Sequence, residues 1–387
     1  MPLDSDTLGD LIATIRRYVQ ERLIPNEGKV ADEDRIPPEI VDEMRRLGFF
    51  GLTVPEEYGG LGLTMEEEAL VGFELGHASP AFRSVFGTNN GIGSQAIVLA
   101  GTAEQKQRYL PRLASGELIG SFALTEPEAG SDAAAVSTRA VRDGDGYVLD
   151  GTKRFITNAP HAGLFTVMAR TDPATKGAAG VSAFLVEAGI PGIGIGPKEK
   201  KMGQRGAPVA DVVFTECRVP PEALLGGVEG QGFRVAMRVL DRGRLAISAS
   251  FTGFAERILD DLVAYAVQRQ QFGRPIAEFQ LIQAMIADSK ADLVAARAMV
   301  LEASRAHDRG EDISLLAACC KMFTSESLGR VADRNVQVHG GAGYVADYAA
   351  ERHYRDARLA RLYEGTTQIQ QLVIARNVIR AAKAALG

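Results

Sequence analysis

The chain is poor in the residues that build disulfide frameworks and metal centres. Its 387 residues include three cysteines and five histidines. Cys319 and Cys320 are adjacent in an apolar helical run and Cys217 stands alone, which matches neither disulfide nor ligand spacing, and His339 and the other histidines form no ligand pattern. No metal is expected, and a reducing cytoplasm is the simplest home. Basic residues are not in excess. With a formal net charge of -6 nothing offsets a nucleic-acid backbone, so a phosphate on any ligand must be met locally. No run approaches the roughly 18 apolar residues of a membrane span, and the N-terminus lacks a basic stretch leading into an apolar one. Membrane insertion and processing are therefore not expected.

What is present is ample core-forming material, enough for about two to three domains. Apolar residues at Leu8, Leu11, Ile12, Ile15, Val19 and Leu23 predict a helix over 6–23 that Pro25 ends. Further helices are expected over 38–48, 65–77 and 81–99. Thr102 and Gln105 stand at capping-box spacing before another. Between them, 49–62 reads as a glycine-rich tight connection. From Leu118 the pattern changes to short β-rich runs at 146–149, 153–157, 164–169, 181–186 and 211–215. Asp143-Gly144-Asp145-Gly146 and Asp150-Gly151 mark hairpin turns. With no helix between these runs, a small antiparallel sandwich or barrel is expected rather than a parallel nucleotide-binding sheet. Helical periodicity returns after Gly232 and predicts long helices over 233–271, 277–307, 313–338 and 367–384, a four-helix bundle. The expected fold is α+β and mainly α. Its domains are 1–117, helical; 118–228, β; and 229–387, the bundle.

The chain is organised around Tyr363-Glu364-Gly365-Thr366-Thr367-Gln368. Thr367 is the expected N-cap of the last helix, with Gln370 three residues on. Glu364 just upstream sits near free backbone N–H groups and the positive end of the helix dipole, and Gly365 lets the backbone approach a ligand. These features fit a catalytic carboxylate, and also an exposed Glu before a helix. Three other stretches carry possible chemistry. Phe122 to Asp132 offers hydroxyls at Thr125 and Ser131 around Gly130 and Pro127, as a ligand loop or a surface turn would. Phe155 and Thr157, two apart on a strand, share a face and together offer a stacking surface and a hydrogen bond, though core packing also accounts for Phe155. Gln337 to Ala346 contains a GxGxxA pattern, but it follows a helical run and so is not a dinucleotide fingerprint.

Taken in order, Leu124-Thr125-Glu126-Pro127 with Gly130-Ser131-Asp132, Phe155-Ile156-Thr157-Asn158, Arg269-Gln270-Gln271-Phe272-Gly273, Gln337 to Gly341 and Tyr363-Glu364-Gly365-Thr366 resemble the acyl-CoA dehydrogenase family over essentially the whole chain. The resemblance implies a homotetramer with FAD at a subunit interface. Phe122, Leu124, Thr125 and Ser131 would border the flavin, and Ser131 would also lie near the substrate's pantetheine arm. Phe155 stands where the family more often has tryptophan, and Thr157 would hydrogen-bond the flavin ring. From a neighbouring subunit, Arg269 would meet the FAD pyrophosphate, with Phe272, Gln280, Gln337 and Gly341 along the cofactor. Thr366 and Gln368 would complete the site beside Glu364. Asp241, Arg244, Tyr363 and Gly365 would face the acyl-CoA substrate.

The implied reaction is dehydrogenation to a trans-2-enoyl-CoA, with Glu364 as base and electrons passing to an electron-transfer flavoprotein. In the isovaleryl-type and long-chain branches the base stands between the positions of Asp241 and Arg244, where this chain has Gly243. A base at Glu364 instead fits the short-chain, medium-chain and some branched-chain enzymes, with a short or medium acyl group preferred. Water exclusion would raise the Glu364 pKa while the helix dipole would lower it. An oxidase-like or reverse-direction flavoenzyme, and a non-catalytic acyl-CoA-binding relative, are the alternatives.

Overall fold

The computed structural model describes residues 2–175 and 177–386. The N-terminal part is helical: Ser5–Tyr18 (α1), Glu27–Glu33 (α2), Pro38–Arg46 (α3), Met65–Gly76 (α4), Pro80–Asn90 (α5), Gln95–Ala100 (α6) and Ala103–Ala114 (α7). Pro25 does not stop the first helical run. It falls in a tight turn, Ile24–Asn26, which follows a π-type turn over Val19–Leu23 and leads into α2. The proline removes one N–H, and the chain absorbs the loss by changing helix type. The run expected over 81–99 is two helices, broken where Gly91 leaves helical geometry. The Thr102 capping box forms as expected: Gln105 N donates to Thr102 Oγ1 and Thr102 N to Gln105 Oε1.

The β strands are Gly120–Ala123 (β1), Arg139–Asp143 (β2), Gly146–Thr157 (β3), Leu164–Arg170 (β4), Val181–Glu187 (β5), Ile193–Ile195 (β6) and Val209–Val219 (β7). They form a curled sheet in the order β1-β4-β2-β3-β7-β6, with β5 also paired to β4. Most pairs are antiparallel, but β1 and β2 run parallel to β4. Asp143 and Gly146 pair across a two-residue turn, as expected for a hairpin. Asp150-Gly151 is not a turn. It lies within β3, where the register against β7 shifts between Leu149 and Gly151. Thr138 packs against Gly151 so closely that a Cβ would fall 2.5 Å from the Thr138 hydroxyl, so the glycine serves a bulge and not a hairpin.

The long helix Gly232–Gln268 (α8) ties the layers together. Its first turns, through Val235 and Val239, share a core with Leu110, Leu113, Phe122, Leu124 and Met168. Its middle packs on α4 without side chains between, since a Cβ on Gly253 would fall 2.0 Å from the Phe73 carbonyl oxygen. A small hairpin, Gln270–Gln271 (β8) and Arg274–Pro275 (β9), leads to Gln280–Asp308 (α9), Ser314–His339 (α10), Ala349–Arg358 (α11) and Thr367–Leu386 (α12). Among the described residues no helix is long and apolar enough to cross a membrane.

Candidate active site

Glu364 stands in the short link between α11 and α12 with a left-handed backbone, φ +55. For a non-glycine residue this costs energy, and the surroundings hold it there. The Glu364 carbonyl accepts from Arg244 Nε at 3.0 Å and Gln370 Nε2 at 3.1 Å, and the Gly365 carbonyl accepts from Lys321 Nζ at 2.6 Å and Gln370 Nε2 at 3.2 Å. The cap of α12 falls one residue earlier than expected. Ile369 N donates to Thr366 Oγ1 at 3.2 Å, while Thr367 Oγ1 donates to Glu326 at 2.8 Å. Gln370 therefore forms no capping box, because its amide satisfies two carbonyls of the strained link instead. Pinning both carbonyls fixes the Glu364 side chain in the wall of a cavity. Its Oε2 is buried without a hydrogen-bond partner. Burial raises the Glu364 pKa above the ordinary carboxylate range, against the opposing pull of Arg83, Arg244 and Lys321.

The cavity has a volume of about 730 Å³ and brings together parts of all three sequence regions. Phe122, Leu124, Thr125, Ser131, Phe155 and Thr157 line it with Asp241, Gly243, Arg244, Tyr363, Glu364 and Gly365. The loop after β1 is shaped from below. Glu126 and Ala129 exchange backbone hydrogen bonds across Pro127. The Glu126 carboxylate, itself buried, accepts from Lys153 Nζ at 2.7 Å, Ser137 N at 2.6 Å and Thr138 N at 2.9 Å. Lys153 also donates to the Leu124 carbonyl at 3.2 Å. Phe155 and Thr157 reach the cavity by a route other than simple alternation. The β3 register shifts again between Lys153 and Ile156, and Phe155 has φ +57. This bulge leaves the Phe155 ring 55% exposed while Ile156 packs into the sheet. Asp241 and Arg244 form an ion pair of 2.6 Å on one face of α8.

The acyl-CoA dehydrogenase N-terminal, middle and C-terminal domains match residues 5–117, 121–217 and 230–379. An acryloyl-CoA reductase (NADH) of Anaerotignum propionicum is 43% identical over 94% of this chain and 92% of its own. The short-chain specific acyl-CoA dehydrogenase, mitochondrial, of Homo sapiens is 40% identical over 96% of this chain and 90% of its own. The structure of butyryl-CoA dehydrogenase from Megasphaera elsdenii superposes with a TM-score of 0.93 at 35% identity, covering 98% of this chain and 100% of that one. The chain belongs to the acyl-CoA dehydrogenase family. It is an oxidoreductase of flavin-dependent acyl-CoA dehydrogenation, and its cofactor is FAD.

The residues present suit that cofactor on the cavity side. An exposed Phe155 ring, the Thr157 and Thr125 hydroxyls and a loop held from beneath by Glu126 and Lys153 supply stacking, hydrogen bonding and a fixed backbone. The other cofactor candidates of this acyl-CoA dehydrogenase lie elsewhere. Arg269 caps α8 and is followed by the β8–β9 hairpin, some 38 Å along the helix axis from Arg244 at about 1.5 Å per residue. Phe272 at the hairpin tip is 93% exposed. Gln280, Gln337 and Gly341 are exposed at the same end of the bundle, where Val338, Leu262 and Ile276 share a small core. Thr366 and Gln368 adjoin Glu364 without lining the cavity, and Thr366 is engaged as the α12 cap.

Sequence reasoning missed Arg83 and Lys321. Lys321 is fully buried in α10, and burial pushes its pKa down to about 8 against the attraction of Glu364. A single Lys within the otherwise apolar run Leu315 to Phe323 was the available signal. Arg83, in the middle of α5, carried none.

Proposed function

We propose that Glu364 is the base of an α,β-dehydrogenation. Its carboxylate removes a proton from the carbon next to the thioester carbonyl of an acyl-CoA as the neighbouring carbon loses a hydride, leaving a trans-2-enoyl-CoA. Bound FAD, bordered by Phe155 and Thr157, would supply the hydride acceptor, and an electron-transfer flavoprotein the onward electron acceptor. The observation that carries this reading is the buried, unpartnered Glu364 Oε2 in the wall of the cavity that also holds Phe155 and Thr157. The thioester oxygen gains charge as the proton leaves, and the Glu364 N–H is the donor for it, since it finds no acceptor among the described residues. The carbonyl bonds from Arg244, Gln370 and Lys321 hold that donor still.

Asp241, Arg244, Tyr363, Gly365 and Ser131 form the substrate side of the cavity. Arg269, Phe272, Gln280, Gln337 and Gly341 complete the cofactor site of a neighbouring copy in a homotetramer. Their exposure away from the cavity supports that reading, as does a bulky phenyl ring left in solvent at Phe272. Gly243 cannot supply a base, and a base at Glu364, as in the short- and medium-chain type that the chain resembles, favours a short or medium acyl group. Three free cysteines fit a cytoplasmic location.

An anaerobic absorbance spectrum of the FAD-loaded protein, before and after butyryl-, octanoyl- and isobutyryl-CoA, tests the reading. Bleaching of the flavin band by one of them supports it, and no bleaching by any acyl-CoA overturns it. The similarity to an acryloyl-CoA reductase (NADH) favours a second reading, the same site working towards reduction. Reoxidation of the reduced protein by 2-enoyl-CoA faster than by electron-transfer flavoprotein would identify that direction.

A further inference from the structure

The cations lining the cavity are not equally engaged. Arg244 is paired with Asp241 and donates to the Glu364 carbonyl, Lys201 Nζ donates to the Ala207 carbonyl at 2.6 Å, and Arg380 donates to Asn377 at 2.7 Å. Arg376 makes no such contact but stands exposed on α12. Arg83 is different. It is half-buried on α5, lines the cavity, and among the described residues makes neither an ion pair nor a hydrogen bond. Its side chain lies back over Gly87, where a Cβ would come within 3.3 Å of Nη1, so the missing side chain at 87 makes room for the guanidinium. It lines the same cavity as Tyr363 and Glu364, and its charge bears on both.

A partly desolvated guanidinium is costly unless an anion meets it. Glu364 does not fill that role, since its Oε2 has no partner. The phosphates of a coenzyme A thioester do not fill it either, because the whole pantetheine arm separates them from the thioester carbon that Glu364 addresses. The FAD pyrophosphate is assigned above to Arg269 of a neighbouring copy and the oxidised flavin ring is uncharged, so the remaining source of negative charge is the acyl group itself. We infer that Arg83 receives a carboxylate at the far end of the acyl chain, so that the substrate is an ω-carboxyacyl-CoA rather than a simple fatty acyl-CoA. This rests on the dehydrogenation proposed above. The planar guanidinium matches a carboxylate with two parallel hydrogen bonds; of the two hydroxyls lining the cavity nearby, Ser84 Oγ already donates to the Pro80 carbonyl at 3.2 Å, while Thr88 Oγ1 accepts from Asn158 Nδ2 at 2.9 Å and keeps its proton to donate. An uncharged acyl end leaves the cation unpaired, so the site discriminates by penalty as well as by attraction.

The test compares anaerobic flavin reduction of the FAD-loaded enzyme by matched pairs of equal chain length: succinyl- with butyryl-CoA, glutaryl- with pentanoyl-CoA, and adipoyl- with hexanoyl-CoA. The wild type is expected to be reduced by one dicarboxylic member at a kcat/KM about 30-fold or more above its uncharged partner, the low end for a charge pair in a partly buried site. R83Q brings the ratio of the two kcat/KM values towards 1, whatever the loss of its pull on Glu364 does to both members alike, and R83K retains part of the preference. FAD content and melting temperature of both variants show whether they fold, and the wild-type preference decides the matter if they do not. Reduction by the uncharged members alone, or equal losses for both members in R83Q, overturns the assignment of Arg83 and leaves the dehydrogenase reading standing. No reduction by any of the six, nor by octanoyl- or isobutyryl-CoA, overturns both.

Discussion

Gly243 lies against the Glu364 carboxylate: a Cβ at 243 would come within 3.2 Å of Oε2. The two residues occupy one spot in the cavity, approached from α8 on one side and from the α11–α12 link on the other. The absence of a side chain at 243 is what gives the Glu364 carboxylate its place.

Gly243→Ala is therefore expected to separate stability from activity. Alanine is the better helix former by about 1 kcal/mol, and the atom it meets is the free end of a side chain, so the melting temperature holds or rises. The added methyl displaces the carboxylate by a few tenths of an ångström, and flavin reduction slows by about 10-fold or more. Paired measurements of thermal unfolding and single-turnover reduction check this. Loss of stability with unchanged reduction would contradict it.

The pH dependence of reduction follows from the Glu364 environment. Burial raises its pKa, and a base must be ionised to accept a proton. The kcat/KM for reduction should fall as pH drops through a single ionisation that lies above the ordinary carboxylate value near 4.5. A profile that stays flat down to about pH 5 would place the titrating group elsewhere.

The Glu126–Lys153 pair makes a separate prediction about stability. Burial alone would raise the Glu126 pKa, but Lys153, Thr138 and Ser137 hold it down to about 2, against 4.5 for a free side chain. A depressed carboxylate stabilises the fold fully above 4.5 and loses that contribution as pH falls toward 2, on the order of 3 kcal/mol in all. Burial pushes Lys153 down to about 8, which leaves it charged throughout that acid range. Glu126→Gln should lower the urea midpoint at pH 7, flatten its acid dependence and weaken FAD retention, because the loop bearing Leu124 and Thr125 loses its support. Unchanged acid dependence in the variant would refute the pairing.

How far these relationships could be read beforehand differs from residue to residue. The Thr102 capping box, the Asp143–Gly146 hairpin and the long C-terminal helices follow from local rules, and the structure contains them. Asp150-Gly151 carries the same local signal as a hairpin turn yet forms a bulge, because the contact of Gly151 with Thr138 is tertiary. Helix α11 was not foreseen, since it buries charge in place of an apolar stripe. Its Asp356 accepts from Ser79 at 2.9 Å and its Arg352 pairs with Glu27 at 3.2 Å. Glu364 was legible through its neighbours in the chain. Lys321 and Gln370, which hold its link in place, act across 44 residues and from within the next helix, and such distances leave no pattern in a single sequence.

The central claim is that Glu364 removes the substrate proton. The most direct measurement is the single-turnover rate of flavin reduction in Glu364→Gln, loaded with FAD and mixed anaerobically with the acyl-CoA that best bleaches the wild type. Glutamine keeps the size of the side chain and the backbone hydrogen bonds of the link but cannot accept the proton. Reduction should slow by roughly 100-fold to 10,000-fold while flavin and ligand still bind. A variant that binds both and is reduced at the wild-type rate would show that the base is another group.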